Sequence, residues 1–239
     1  MGQNDKAYYL KNLELSLLLS VKGMKELYGI KMDNIQSADQ SLIYQTLFEL
    51  EKKKLISVNK ENVMIYKELD EILEDINSAE KMLLYTNRFS EFPDQCIYLA
   101  GRAVAVSAYG AVRGMNRIES ISLSYLPEKI CKCGFYIEEL ISDQSLFEKN
   151  EIDNPELKAW ADTLFAKEPI SFSETEWGTI TNCLKLFSLN NRKCIKQYLL
   201  VRDRLNDYFL VTDEQTSLIY SYSKKRVIDI LENDLLKMN

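Results

Sequence analysis

Histidine is missing from all 239 residues, and this absence removes more chemistry than any motif present adds. Imidazole is the commonest general base and a common metal ligand near neutral pH. Ser-His-Asp and Cys-His nucleophile systems are therefore excluded, as are zinc sites that mix histidine with cysteine. Only enzymes built on Glu, Lys or Tyr bases remain open. Glycine and proline are scarce, at 8 and 4 residues, so long flexible linkers are lacking and most connections must be short. No apolar run nears the roughly 18 residues of a membrane span. Arg102 breaks the most apolar strand region, and Glu14, Ser16 and Ser20 interrupt the stretch 13–21, which makes it a poor signal peptide. Lys6 stands where N-myristoylation wants Ser or Thr. The five cysteines, Cys96, Cys131, Cys133, Cys183 and Cys194, are odd in number and dispersed. That pattern fits reduced thiols of a cytoplasmic protein better than a secreted disulfide framework.

What is present belongs to a globular protein. With 46% hydrophobic and 28% charged residues, the chain can bury a core without staples and lies far from the disordered class. The net charge of −6 opposes binding of a phosphate backbone by the surface as a whole, leaving only a local basic patch for that purpose.

Leu10, Leu13, Leu17, Val21, Met24 and Leu27 follow helical spacing, with Gly29 as the expected stop. Ser37 and Gln40 read as a capping box opening a second helix to about Lys53, with Ile43, Leu47 and Leu50 as its buried stripe. Short β-branched runs at 55–58 and 63–66 predict a small hairpin. A third helix then buries Leu69, Ile72, Leu73, Ile76 and Leu83 under an acidic exterior. Helix, helix, wing, helix is a winged-helix-like segment. Strands are expected at 95–99, 103–108 and 117–125, then a helix after Pro127 carrying Ile130, Phe135, Ile137, Leu140 and Ile141. The polar stretch 142–155 divides an N-terminal half, 1–145, from a C-terminal half, 146–239, the two sharing one sheet. The second half predicts a helix at 157–166, strands at 179–189 and 194–201 joined at Asn190-Asn191, and a hairpin of 207–212 with 217–222. A closing helix from Ser223 buries Val227, Ile228, Leu231 and Leu235, and its first turn carries Lys224, Lys225 and Arg226 against the helix dipole. The fold class is thus α+β: a central antiparallel sheet flanked by helices, in two quasi-repeated halves.

No residue cluster reads as a catalytic, cofactor or metal site. Cys131-Lys132-Cys133 lacks two further ligands at metal spacing. Glu71, Glu74 and Asp75 fall on the solvent side of an amphipathic helix, and Glu138-Glu139 and Glu174 with Glu176 are no stronger. The glycines of 109–114 match neither a Walker motif nor G-x-G-x-x-G. Gln40, Gln45, Lys52, Lys53, Lys54 and Lys60 would lie on or beside a recognition helix and its wing, which keeps a DNA-binding transcription regulator as the alternative. In the last hairpin Leu218, Tyr220 and Tyr222 share one strand face. Exposed, they would form a protein-binding patch, since tyrosine is favoured at interfaces; otherwise they are core.

The order of elements across 13–29, 42–56, 69–84, 95–125 and 179–235 resembles that of the EspG-type accessory proteins of type VII secretion. The resemblance implies two related halves sharing a central sheet. It also implies a non-enzymatic cytoplasmic adaptor or chaperone that shields the apolar tip of a secreted helical-hairpin protein, with no cofactor and no membrane contact. No motif transfers a contact residue, so Leu218, Tyr220 and Tyr222 stand as the candidate partner contacts.

Overall fold

The computed structural model describes residues 6–30, 32–59, 62–87, 93–108, 112–138, 151–165, 174–175, 177–204 and 206–237. Residues 142–150 of the expected connector lie outside these, as do Lys60, Glu139, Leu140, Ile141, Glu176 and residues 109–111. The fold is α+β with antiparallel strand pairing. It divides into two compact units: Met1–Met82 with Gln95–Ile121, and Leu83–Asp94 with Ser122–Asn239.

The first unit runs β1 (Ala7–Lys11), α1 (Asn12–Val21), α2 (Gln40–Lys52), β2 (Ile56–Val58), β3 (Val63–Ile65) and α3 (Lys67–Ser78). After β4 (Lys81–Asn87), within which the division falls, come β5 (Gln95–Leu99), β6 (Ala103–Ala108) and β7 (Met115–Ile121). Its sheet is ordered β1-β7-β6-β5, and β2 with β3 forms the wing. Two elements correct the sequence reading. Residues 7–11 form a strand, their alternate residues Tyr8 and Leu10 buried against β7. The first helix also ends at Val21, not near Leu27, because Gly23 at φ +76° reverses the chain. Gly23 N–H then donates to Ser20 O and Met24 N–H to Leu19 O, both at 2.9 Å, a Schellman closure. The cap of α2 is Asp39, whose side chain accepts from Ser41 N–H at 2.8 Å; Ser37 sits in a preceding 3-10 turn. Leu83 is on β4, since α3 stops at Ser78.

Ion pairs fasten these helices. Glu14 on α1 is fully buried and receives Lys53 Nζ at 2.6 and 2.7 Å and Lys11 N–H at 2.8 Å. Lys22 reaches Asp70 at 2.6 Å and Glu74 at 2.5 Å on α3, and Arg102 reaches Asp75 at 2.8 Å. The acidic face of α3 is thus partly spent on its own neighbours.

The second unit continues from β4 with α4 (Leu126–Lys132), α5 (Pro155–Phe165) and the short β8 (Glu174–Thr175). Then follow β9 (Gly178–Ser188), β10 (Lys193–Arg202), β11 (Asp207–Asp213), β12 (Ser217–Ser221) and α6 (Lys224–Leu236). The strand order is β4-β9-β10-β11-β12, with β8 on β9. The run Tyr198-Leu199-Leu200-Val201 does not alternate with polar residues because helices cover both faces of the sheet. Leu199, Val201, Leu210 and Ile219 pack with Leu157, Ala161 and Leu164 of α5. On the other face Tyr198 Oη donates to Asp234 of α6 at 2.9 Å. A register shift between Leu200 and Val201 sets both Ile180 and Cys183 toward α5 and leaves Asn182 on the opposite face. There its amide donates to Gly134 O at 2.8 Å and contacts Tyr85 Oη at 3.3 Å.

Three local expectations change. Strand β7 stops at Ile121, and 122–125 turn into α4. That helix ends at Lys132, where Gly134 at φ +105° follows, so the buried Phe135 and Ile137 belong to the loop beyond it. The β9–β10 turn takes its positive φ at Arg192 (+55°) and not at either asparagine.

Candidate functional site

Strand β12 places Leu218 and Tyr220 on one face, as the alternation requires, and Ile219 on the other within the α5 core; the strand ends at Ser221, one residue short of expectation, and Tyr222 follows it with its N–H donating to Asp207 O at 2.8 Å. Leu218, Tyr220 and Tyr222 are all half-buried. Tyr220 lies 6.3 Å from Phe209, ring to ring, while the Arg226 guanidinium sits 5.8 Å over it. Arg226 also donates to Ser221 O at 2.9 Å. That contact gives one of the three first-turn cations of α6 a local reason; Lys224 and Lys225 are exposed. Tyr222 Oη accepts the Ile137 N–H at 3.1 Å, which ties the loop after α4 to this strand. Burial pushes the Tyr220 phenol upward, and Glu151 adds to the effect. The face is therefore a hydroxyl-and-ring surface bordered by the Arg226 cation and by the carboxylates of Glu151 and Asp234. Glu151 bridges Tyr220 and Ile152 N–H donates to Ile219 O at 2.7 Å alongside.

The turns of this unit shape a shallow depression lined by Asn191, Lys193, Ile195, Asp213, Glu214 and Gln215. Asp213 is desolvated there, yet the Gln215 and Thr216 N–H groups, each at 2.9 Å, hold its carboxyl below the usual carboxylate value. Lys193 pairs with Glu214. Every charge at its rim thus has a turn-forming or pairing duty, and the depression is open to solvent, not an enclosed volume of the kind that takes a small substrate.

On the α5 side of the sheet a polar row crosses the strands: Lys185, Gln197, Thr212 and Ser217 are successive cross-strand partners. Ser217 Oγ donates to Asp162. Gln197 and Thr212 are fully buried, and among the described residues the Gln197 amide and Thr212 Oγ1 have no hydrogen-bond partner.

Among the described residues no cluster of Cys, Asp and Glu could hold a metal ion. Cys131 and Cys133 are both buried free thiols at the end of α4, and burial pushes Cys131 up to about 11. No described helix is long and apolar enough to cross a membrane.

One surface escapes the hydrophobic-stripe reading. Tyr44 and Phe48, four residues apart on α2, are 67% and 66% exposed, and Val58 at the adjoining end of the wing is 40% exposed. Glu51 Oε1 accepts the Val58 N–H at 3.2 Å and so joins that strand end to the same side of the helix. The signal was in the sequence: Tyr44 and Phe48 lie on the side of α2 opposite Thr46 and Leu50, which are buried. Gln45 and Lys52, expected on a recognition helix, share this outer side, whereas Lys53 is turned to Glu14.

No protein-family model matches the chain, and no curated protein sequence matches it. Among solved structures the chain is similar to that of the Mycobacterium tuberculosis type VII secretion system chaperone EspG5, determined in complex with the PE25-PPE41 dimer. The likeness covers 97% of this chain and 96% of that one, with a TM-score of 0.60 and 7% sequence identity. At such identity the likeness is one of fold.

Proposed function

We propose that the protein is a non-enzymatic cytoplasmic adaptor or chaperone that binds a helical protein substrate of a type VII-like secretion system. The observation that carries this reading is the end-to-end fold likeness to a chaperone of that system, 97% of one chain against 96% of the other. A likeness confined to one module would have been compatible with an unrelated whole. The histidine-free composition supports a binder over a catalyst. On this reading Leu218 and the open side of Tyr220 contact the partner, and Tyr222 positions that face through its bond to Ile137 N–H.

Affinity capture from the native host, followed by mass spectrometry, tests the proposal. Stoichiometric recovery of a small secreted helical protein is expected, with Leu218→Asp reducing it and the far-UV spectrum unchanged. Recovery of nucleic acid alone, or turnover of a small molecule lost on neutralising one pocket carboxylate or lysine, would overturn it.

A further inference from the structure

Ser41, Tyr44, Phe48 and Glu51 recur on the outer side of α2 at intervals of three, four and three residues, and all four are exposed. That spacing keeps the four on one helix face, whose centre is apolar, Tyr44 and Phe48, and whose ends are polar, Ser41 and Glu51. The set is also symmetric along the helix, since 41 with 51, and 44 with 48, are centred on the same level, residue 46. A second α2 laid antiparallel across the first, about a two-fold axis at that level, therefore stacks Tyr44 on Phe48 of its mate twice. It also sets the Ser41 hydroxyl against the mate's Glu51 carboxylate at both ends.

The charges agree with this arrangement. Exposed Asp39 caps the N-terminus of α2, while exposed Lys52 and Lys54 stand at its C-terminus without an ion pair among the described residues. An antiparallel mate brings the acidic end of each helix to the basic end of the other and opposes the two helix dipoles. Lys11 holds Glu49 at 2.7 Å and Lys53 is turned to Glu14, so the exposed Glu51 against Lys52 and Lys54 leaves that end with a small cationic excess. Exposed Val58 extends the apolar strip past Glu51.

We infer that α2 is the contact of a homodimer, formed isologously by this seam with a second copy of the chain. One helix face with a wing tip is a small interface, so the dimer belongs to the weak, exchanging class. The inference is independent of the proposed adaptor role.

Sedimentation equilibrium of the full chain, from low micromolar to near-millimolar concentration, tests it. A reversible monomer–dimer equilibrium is expected. Phe48→Asp should weaken it by roughly tenfold or more, as loss of a central aromatic anchor does. Because Phe48 is exposed, its replacement leaves the fold intact, which circular dichroism checks. Ser41→Lys, which opposes a cation to Glu51 of the mate, should tighten the dimer severalfold at low salt and lose that gain at high salt. A chain that stays monomeric throughout the series overturns the inference and leaves the face to a different protein. A dimer indifferent to both Phe48→Asp and Ser41→Lys overturns it equally.

Discussion

Removing the ammonium of Lys53 would leave Glu14, fully buried on α1, with a single backbone donor. Breaking a buried pair from one side costs about 3–5 kcal/mol. Here Lys53 is itself 38% exposed and water screens it, so Lys53→Ala is expected to cost about 2 kcal/mol in chemical denaturation, a discount on that range. Gln197 is the opposite case: its buried amide already lacks partners among the described residues. Gln197→Met, similar in shape and free of that desolvation cost, is expected to be neutral or stabilising by up to about 1 kcal/mol. Burial raises the Cys131 thiol from an ordinary 9.0 to about 11. Because the folded value is the higher one, its contribution to stability is complete below about pH 9 and is lost as pH rises toward 11. At pH 8 the thiol should resist a disulfide-exchange reagent that labels the denatured chain at once.

At the level of elements, the sequence was most legible where one periodicity acted alone. The strands β5, β6 and β9 to β12, and the helices α5 and α6, fall within a few residues of expectation because their turns carry Gly, Asn or Asp in defined roles. Strand β1 was hidden because Leu10 satisfies helical spacing with Leu13 and strand alternation with Tyr8, and only pairing to β7 decides between them. Strand β4 was hidden likewise, as Leu83 prolongs the stripe of α3 in register. The α2 cap was misassigned because Ser37 and Asp39 both suit the position, and only the backbone path chooses Asp39. The outer aromatics of α2 were legible as a second stripe, but two stripes on one helix do not say which is buried. Gly178 offers a test at this scale: it holds φ +118°, and a Cβ there would lie 2.5 Å from the Arg202 carbonyl oxygen. Gly178→Ala is expected to lower stability by about 2 kcal/mol or more, read from the thermal midpoint, since backbone must move.

For the whole molecule, the decisive quantities are charge and surface. A chain of net charge −6 whose winged segment turns Tyr44 and Phe48 outward has little with which to displace counterions from a duplex. Mobility-shift titration with random-sequence DNA near physiological salt is expected to show no complex. A complex that weakened steeply with salt would revive the regulator reading. Fold class followed from element order, whereas the proposed partner surface could not be read from it, because whether Leu218, Tyr220 and Tyr222 face water depends on where α6 and the loop after α4 come to rest. The bridge from Glu151 to Tyr220, with Ile152 bonded to Ile219, sets a further limit. A peptide arriving to extend the sheet at that point would find its main-chain seat taken by the protein's own backbone. On the proposed reading, a partner at this hairpin would be selected by side-chain chemistry, so that its composition, and not its readiness to become a strand, would decide admission.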